Sequence, residues 1–287
     1  MSKVWLITGS SRGLGRHIAE AVLASGDRLI ATARKPAALD DLVSRYGPQI
    51  RTIAHDVTDS AAARAAAALA VEAFGRLDVV VNNAGCGHIA PIEQASDEEL
   101  RAELDTNYMG VVYTTRAALP IMRRQGSGYI VQVSSVGGRM GSPGFGAYVA
   151  AKWAVGGFSE VLAKEMAPLG IRVTVLEPGG MRTGFNAIAR ESAAQMLPDY
   201  VQSVGPVQAM LAAHFGRENS DPDRIAGIVL KLAACATPPL HLLLGSDSLQ
   251  YCAPSEAQRK EEDERWVDMT RSADATATGP IPECPAA

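Results

Sequence analysis

Six short apolar runs recur along roughly the first 180 residues: "KVWLIT" (3–8), "RLIATA" (28–33), "IRTIAH" (50–55), "LDVVVN" (77–82), "GYIVQV" (128–133) and "IRVTVLE" (171–177). They are nearly unbroken rather than alternating, the pattern of parallel strands covered on both faces. The stretches between them carry apolar residues at helical spacing. "GLGRHIAEAVLASG" (13–26) ends on Gly26 as a stop, and "DSAAARAAAALAVEAFG" (59–75) has Asp59 or Ser60 as its N-cap and Gly75 as its end. A helix over 223–235 and a last run, "LHLLLG" (240–245), complete the set. Strand–helix–strand repetition predicts an α/β fold, a doubly wound, Rossmann-type parallel sheet of seven strands in one domain.

From residue 184 the texture changes. Residues 184–220 have helical composition interrupted at Pro198, Gly205-Pro206 and Gly216, and are expected to roof a pocket. Residues 1–250 are read as the main domain. Residues 251–287 are read as a C-terminal extension: a charged helix through "SEAQRKEEDERWVDMTRSA", then a loose Pro- and Ala-rich end.

Composition narrows the choice. A hydrophobic fraction of 47% supports a large core, and a net charge of −4 without a basic block argues against nucleic acid as a partner. No run reaches the roughly 18–20 apolar residues of a membrane span. The N-terminal apolar run, Val4 to Ile7, is too short for the core of a signal peptide. The four cysteines, Cys86, Cys235, Cys252 and Cys284, are scattered and form no C-x-x-C pair, which predicts no metal site, no disulfide framework and a cytoplasmic protein.

"VWLITGSSRGLGRHIA" is a strand, a glycine-rich turn and a helix start, with Gly9, Gly13 and Gly15 in G-x-x-x-G-x-G spacing. Glycines there let a pyrophosphate approach backbone N–H groups at a helix N-terminus. The end of the second strand reads "IATARKP": Arg34 follows Ala33 where NAD sites usually carry an acid. With Arg12 inside the turn, a guanidinium is available for a 2′-phosphate, which favours NADP(H) over NAD(H). The alternative is that both arginines are ordinary surface charges.

The stretch "SSVGGRMGSPGFGAYVAAK" (134–152) places Tyr148 thirteen residues after Ser135, and Lys152 four residues further. On a helix Tyr148 and Lys152 share a face, and a phenol beside an ammonium is a better acid and base because the charge lowers its pKa.

Together these motifs resemble the short-chain dehydrogenases/reductases, the branch of single-domain members of roughly 250 residues. The matching segments are "TGSSRGLG" (8–15), "DVTD" (56–59), "NNAG" (82–85), Asn107 in "LDTNYMG", Ser135 in "VSSVGG", "YVAAK" (148–152) and "PGGMRT" (178–183). They cover residues 3 to about 185 in the family's order. The resemblance implies a catalytic set of Asn107, Ser135, Tyr148 and Lys152. It implies a cofactor cradle of Gly9, Ser11, Arg12, Gly13, Leu14, Gly15, Arg34, Asp56, Val57, Asn83, Ala84, Gly85, Pro178, Gly179, Met181 and Thr183, with Tyr148 and Lys152. In that scheme Tyr148 is the proton source and Lys152 also holds the nicotinamide ribose. Ser135 orients the substrate oxygen, with Ser134 as its competitor, and Asn107 holds a relay water unless it merely bends its helix. Assembly as a homodimer or homotetramer through the helices around 107–124 and 146–168 is implied as well.

The expected roof offers Phe185, Ile188, Met196, Leu197, Tyr200 and Phe215, an apolar lining suited to a lipophilic ketone or secondary alcohol. The resemblance extends to steroid-, retinol- and carbonyl-type oxidoreductases. The leading expectation is therefore an NADP(H)-dependent reductase. A tailoring ketoreductase and a non-catalytic NADP(H)-binding redox regulator are the alternatives, and retention of Ser135, Tyr148 and Lys152 argues against the regulator.

Overall fold

The computed structural model describes residues 2–184 and 196–285. The expected roof residues Phe185 and Ile188 lie outside them. The chain alternates β1 (Val4–Ile7), α1 (Gly13–Ala24), β2 (Arg28–Ala33), α2 (Asp40–Tyr46), β3 (Ile50–Ala54), α3 (Ser60–Phe74) and β4 (Val79–Asn82). There follow α4 (Asp97–Leu104), α5 (Gly110–Gln125), β5 (Gly128–Val133), α6 (Gly146–Met166) and β6 (Ile171–Pro178). The C-terminal part adds α7 (Gly205–His214), α8 (Pro222–Ala234), β7 (His241–Leu244), α9 (Ser246–Arg265) and α10 (Val267–Ser272).

All seven strands are parallel, in the order β3-β2-β1-β4-β5-β6-β7. Strand alternation sends Trp5, Ile7, Val79, Val81 and Val131 to one face, against Ile18 and Val22 of α1 and Ile225 and Val229 of α8. Leu6, Ile30, Val80 and Ile130 point the other way, against Ala66 and Ala70 of α3, Met122 of α5 and Leu162 of α6. Burial on both faces is why the strand sequences are unbroken apolar runs. The order reverses between β1 and β4, and the carboxyl ends of strands flanking such a switch point form the crevice where open α/β sheets hold ligands.

The expected helix boundaries hold closely. Asp59, not Ser60, caps α3 by accepting the Ala61 N–H at 2.7 Å, and Gly75 ends it in the left-handed conformation. The charged C-terminal segment is helical from Ser246, so α9 runs through residue 250 without a break. Among the described residues no helix is long and apolar enough to cross a membrane, and no group of three or more potential ligands is placed to hold a metal ion.

Candidate active site

The glycine turn joins β1 to α1 at the switch point. Gly9 and Gly13 have positive φ, and a side chain on Gly15 would place its Cβ 2.3 Å from Asn83 Nδ2 and 2.4 Å from the Gly9 carbonyl. The turn is locked to the loop after β4. Thr8 Oγ1 accepts the N–H groups of Asn83 (2.9 Å) and Ala84 (3.0 Å), and Asn83 Nδ2 donates to the Thr8 carbonyl at 2.9 Å. At the start of α1, Arg12 stands in the N-cap position and its side chain does not cap the helix. The leading N–H groups of α1 are thus left for an anion, with the positive end of the helix dipole behind them. This cradle fits the pyrophosphate of a dinucleotide. Ser11 is half-buried beside the turn, and Leu14 is buried beneath it.

At the end of β2, Ala33 is buried and Arg34 is exposed, and neither position is an acid. Arg34 faces Asp56, whose carboxylate accepts the Thr58 N–H (3.0 Å) and hydroxyl (2.8 Å); these bonds, with a smaller contribution from Arg34, hold it below the usual carboxylate range. Val57 packs beneath, so close to Gly110 that a Cβ there would sit 2.7 Å from it. On the far side of the crevice, β6 ends at Pro178. A Cβ on Gly179 would lie 2.4 Å from the Asp247 carboxylate, which accepts the Gly180 N–H at 2.7 Å. Met181 bridges to Ser220, and Thr183 lies against Gly13, bringing "PGGMRT" across to the glycine turn.

Tyr148 and Lys152 sit one turn apart on α6, the ammonium 5.5 Å from the phenol ring. Lys152 is buried and donates to the Val133 carbonyl at 2.8 Å. The Ser135 hydroxyl is hydrogen-bonded to the Tyr148 phenol and accepts the Gly137 N–H at 3.1 Å. Ser134 instead is buried and donates to the Lys152 carbonyl at 3.4 Å. Only Ser135 of the two serines therefore shares the cleft with the phenol.

Burial dominates the acidity of the pair. It pushes the Tyr148 phenol up to about 12, against the lowering expected from Lys152, and pushes the Lys152 ammonium down to about 8.

Asn107 lies in a π-helical turn, Asp105–Met109, between α4 and α5. The irregular turn aims its amide at the loop after β4: Nδ2 donates to the Cys86 carbonyl at 2.9 Å, and Oδ1 accepts the Cys86 N–H at 3.0 Å. Gly85 lies between Asn107 and Lys152, since a Cβ there would sit 2.8 Å from Asn107 Oδ1 and 3.8 Å from Lys152 Nζ.

Over this cluster Ile89 and Val204 are buried together, with Phe145, Met196, Tyr200 and Leu211 packed on them. The Leu197 N–H donates to Gln94 at 3.0 Å, and the Tyr200 hydroxyl bonds Glu93, which fastens the described part of the roof to the loop after β4. The Phe145 ring leans on Tyr148 at 5.8 Å between centroids.

Two acids were not singled out from the sequence. Asp247 follows Gly245 at the start of α9, and its partner Gly180 is 67 residues away. Glu103 stands four residues before Asn107 and three after Leu100, an acid on an otherwise inward phase of α4.

The family model described as short chain dehydrogenase matches residues 3–194. The chain belongs to the short-chain dehydrogenase family. Oxidoreductase BOA17 of Botryotinia fuckeliana is 47% identical to this short-chain dehydrogenase over 94% of it and 98% of the relative. A 3-ketodihydrosphingosine reductase of Bacteroides thetaiotaomicron is 35% identical over 85% and 88%. The crystal structure of a short-chain dehydrogenase from Streptomyces avermitilis superposes with a TM-score of 0.87 at 38% identity, covering 96% of this chain and 100% of that one. Solved relatives carry both nicotinamide cofactors. An alcohol dehydrogenase from Thermococcus sibiricus holds 5-hydroxy-NADP (TM-score 0.70, 28% identity, 86% and 97% covered), and a Burkholderia phymatum short-chain dehydrogenase/reductase holds NAD (0.75, 25%, 98% and 98%).

Proposed function

We propose that this short-chain dehydrogenase is an NADP(H)-dependent carbonyl reductase, acting reversibly on a lipophilic ketone or secondary alcohol. The observation that carries this reading is a phenol one helical turn from a buried ammonium and beside a serine hydroxyl, next to a glycine turn shaped for a dinucleotide. When bound, the reduced nicotinamide supplies a hydride to the carbonyl carbon. Tyr148 gives its proton to the carbonyl oxygen, so that the ketone becomes an alcohol, and Ser135 donates to that oxygen as its charge develops. Lys152 holds the nicotinamide ribose and favours the phenolate left behind. Asn107 would hold a water that links Lys152 to solvent, the route by which Tyr148 is reprotonated. Gly9, Ser11, Gly13, Leu14 and Gly15 cradle the pyrophosphate, while Asp56, Val57, Asn83, Ala84 and Gly85 line the adenosine side. Pro178, Gly179, Met181 and Thr183 meet the nicotinamide.

The NADP preference rests on Arg34, Arg12 and the missing acid at the end of β2. Arg34→Asp supplies that acid and removes the guanidinium. Calorimetric titration is expected to show NADPH binding weakened by at least about tenfold and NADH binding improved, reversing the preference. The lipophilic class rests on the roof of Ile89, Phe145, Met196, Tyr200, Val204 and Leu211, and agrees with the relative named for a sphingoid ketone. Assembly through α5 and α6, as a homodimer or homotetramer, would cover the exposed Val161.

The test is cofactor oxidation with NADPH and NADH across ketones of graded size. Turnover with apolar ketones and a preference for NADPH supports the proposal. Tight NADPH binding without reduction of any carbonyl would instead favour a redox regulator.

A further inference from the structure

α6, which carries Tyr148 and Lys152, begins without a cap of its own. Phe145 occupies its N-cap position and offers no acceptor, so the N–H groups of the first turn need partners from elsewhere. Glu103 of α4 provides one. Its side chain reaches across to accept the backbone N–H of Tyr148, and its Oε1 accepts the backbone N–H of His88, in the loop after β4, at 2.5 Å. A single carboxylate therefore joins three segments: the helix before Asn107, the loop that Asn107 also pins at Cys86, and the first turn of the acid–base helix.

Glu103 is 5% exposed. The charged and titratable groups around it are Glu99 on its own helix, His88 and Cys86 on the loop, and Tyr148 and Lys152 on α6. The His88 ring lies with its Nε2 3.5 Å from the Glu99 carboxylate. Lys152 acts on Glu103 through space, with no direct ion pair between them among the described contacts. Ionised, Glu103 disfavours a phenolate on Tyr148 and favours the ammonium on Lys152. Nothing in the proposed proton path uses it.

We propose that Glu103 is a positioning residue for the acid–base pair: its carboxylate caps the helix bearing Tyr148 and Lys152, ties that helix to the loop after β4, and by its charge sets how firmly Tyr148 holds its proton. The part concerning proton affinity rests on the assignment of Tyr148 as the acid; the capping part does not.

Burial pushes the Glu103 carboxyl up to about 7 from its ordinary 4.5. A carboxyl that holds its proton more tightly when folded stabilises the protein most below its unfolded pKa. That contribution is lost as pH rises from about 4.5 to about 7.

The experiment uses the full-length protein with Glu103→Gln and Glu103→Ala. First, thermal midpoints are measured without substrate between about pH 5 and pH 8. The midpoint of Glu103→Gln should rise relative to wild type across this range, because the amide cannot ionise, and Glu103→Ala should lie about 5 °C below wild type at the acid end. Parallel wild-type and Gln curves, or an Ala variant as stable as wild type there, would overturn the capping and charge assignments. Second, the pH profile of NADPH-dependent ketone reduction is compared for wild type and Glu103→Gln. Removing the charge should move the alkaline limb down by roughly one pH unit, with kcat affected more than KM. A purely structural cap would leave that limb in place, and an unmoved limb overturns the proposal. Should wild type reduce no carbonyl, the failure lies with the proposed function, and the midpoint curves still decide the capping.

Discussion

Tyr148→Phe is expected to lower kcat/KM for ketone reduction by about 1,000-fold while leaving the fold and NADPH affinity nearly unchanged, because positioned acids contribute about 100- to 10,000-fold. The structural consequences are small. The phenol hydroxyl is bonded to Ser135, which keeps the Gly137 N–H as a partner, and the ring contact with Phe145 survives in the variant. The loss should fall on kcat, since the proton is needed only as the alkoxide develops. Removing Ser135 in addition should cost far less than it does alone, because the two side chains act as one unit. Steady-state kinetics with a cofactor titration on the same preparation make the comparison. A variant that keeps more than about a tenth of wild-type turnover would place the proton source elsewhere.

Gly15→Ala is expected to be the most damaging single-methyl change in the cofactor cradle. Its Cβ would overlap Asn83 Nδ2 at 2.3 Å and the Gly9 carbonyl at 2.4 Å, and neither can retreat freely. Asn83 is held by the Thr8 carbonyl and hydroxyl, and Gly9 lies in a turn with positive φ. Overpacking of a rigid site costs about 1–3 kcal/mol, which for a domain of this size lowers the thermal midpoint by several degrees. The larger effect is on binding: spreading the turn from the β4 loop separates the two walls of the pyrophosphate site, and NADPH affinity should fall by at least about tenfold. Gly26→Ala is the control. A Cβ there meets nothing within 4 Å, so only the strain of its positive φ remains, far from the crevice. Calorimetry and thermal unfolding of both variants check the expectation, and equal NADPH affinity for Gly15→Ala and wild type would contradict it.

Features of this molecule that depend on local patterning were legible in its sequence. The unbroken apolar strands and the seven-stranded parallel sheet follow from burial on both faces and right-handed crossovers, and the Gly26 and Gly75 stops from positive φ. The glycine turn and the Tyr148–Lys152 spacing were legible because each packs its chemistry into a few consecutive residues. What escaped depends on distant partners. The bond from Gly180 to Asp247 becomes visible only when β6 and β7 lie side by side. Glu103 looked like one more charge in "DEELRAEL", and only the packing of α4 on α6 turns it into a buried cap. The π-helical turn at Asn107 has no local signature either, since it arises where the helix must bring that amide to Cys86. The acidity of Tyr148 depends on its surroundings in the same way: the neighbouring ammonium is evident from spacing, whereas the burial that raises the phenol is not.

The most direct test of the account is a product analysis. The protein is given an apolar ketone and NADPH bearing deuterium at the position that transfers, and the alcohol is examined by mass spectrometry. The account predicts one deuterium on the carbinol carbon with wild type and almost no alcohol with Tyr148→Phe. An alcohol formed without deuterium, or formed equally well by the Phe variant, would contradict it.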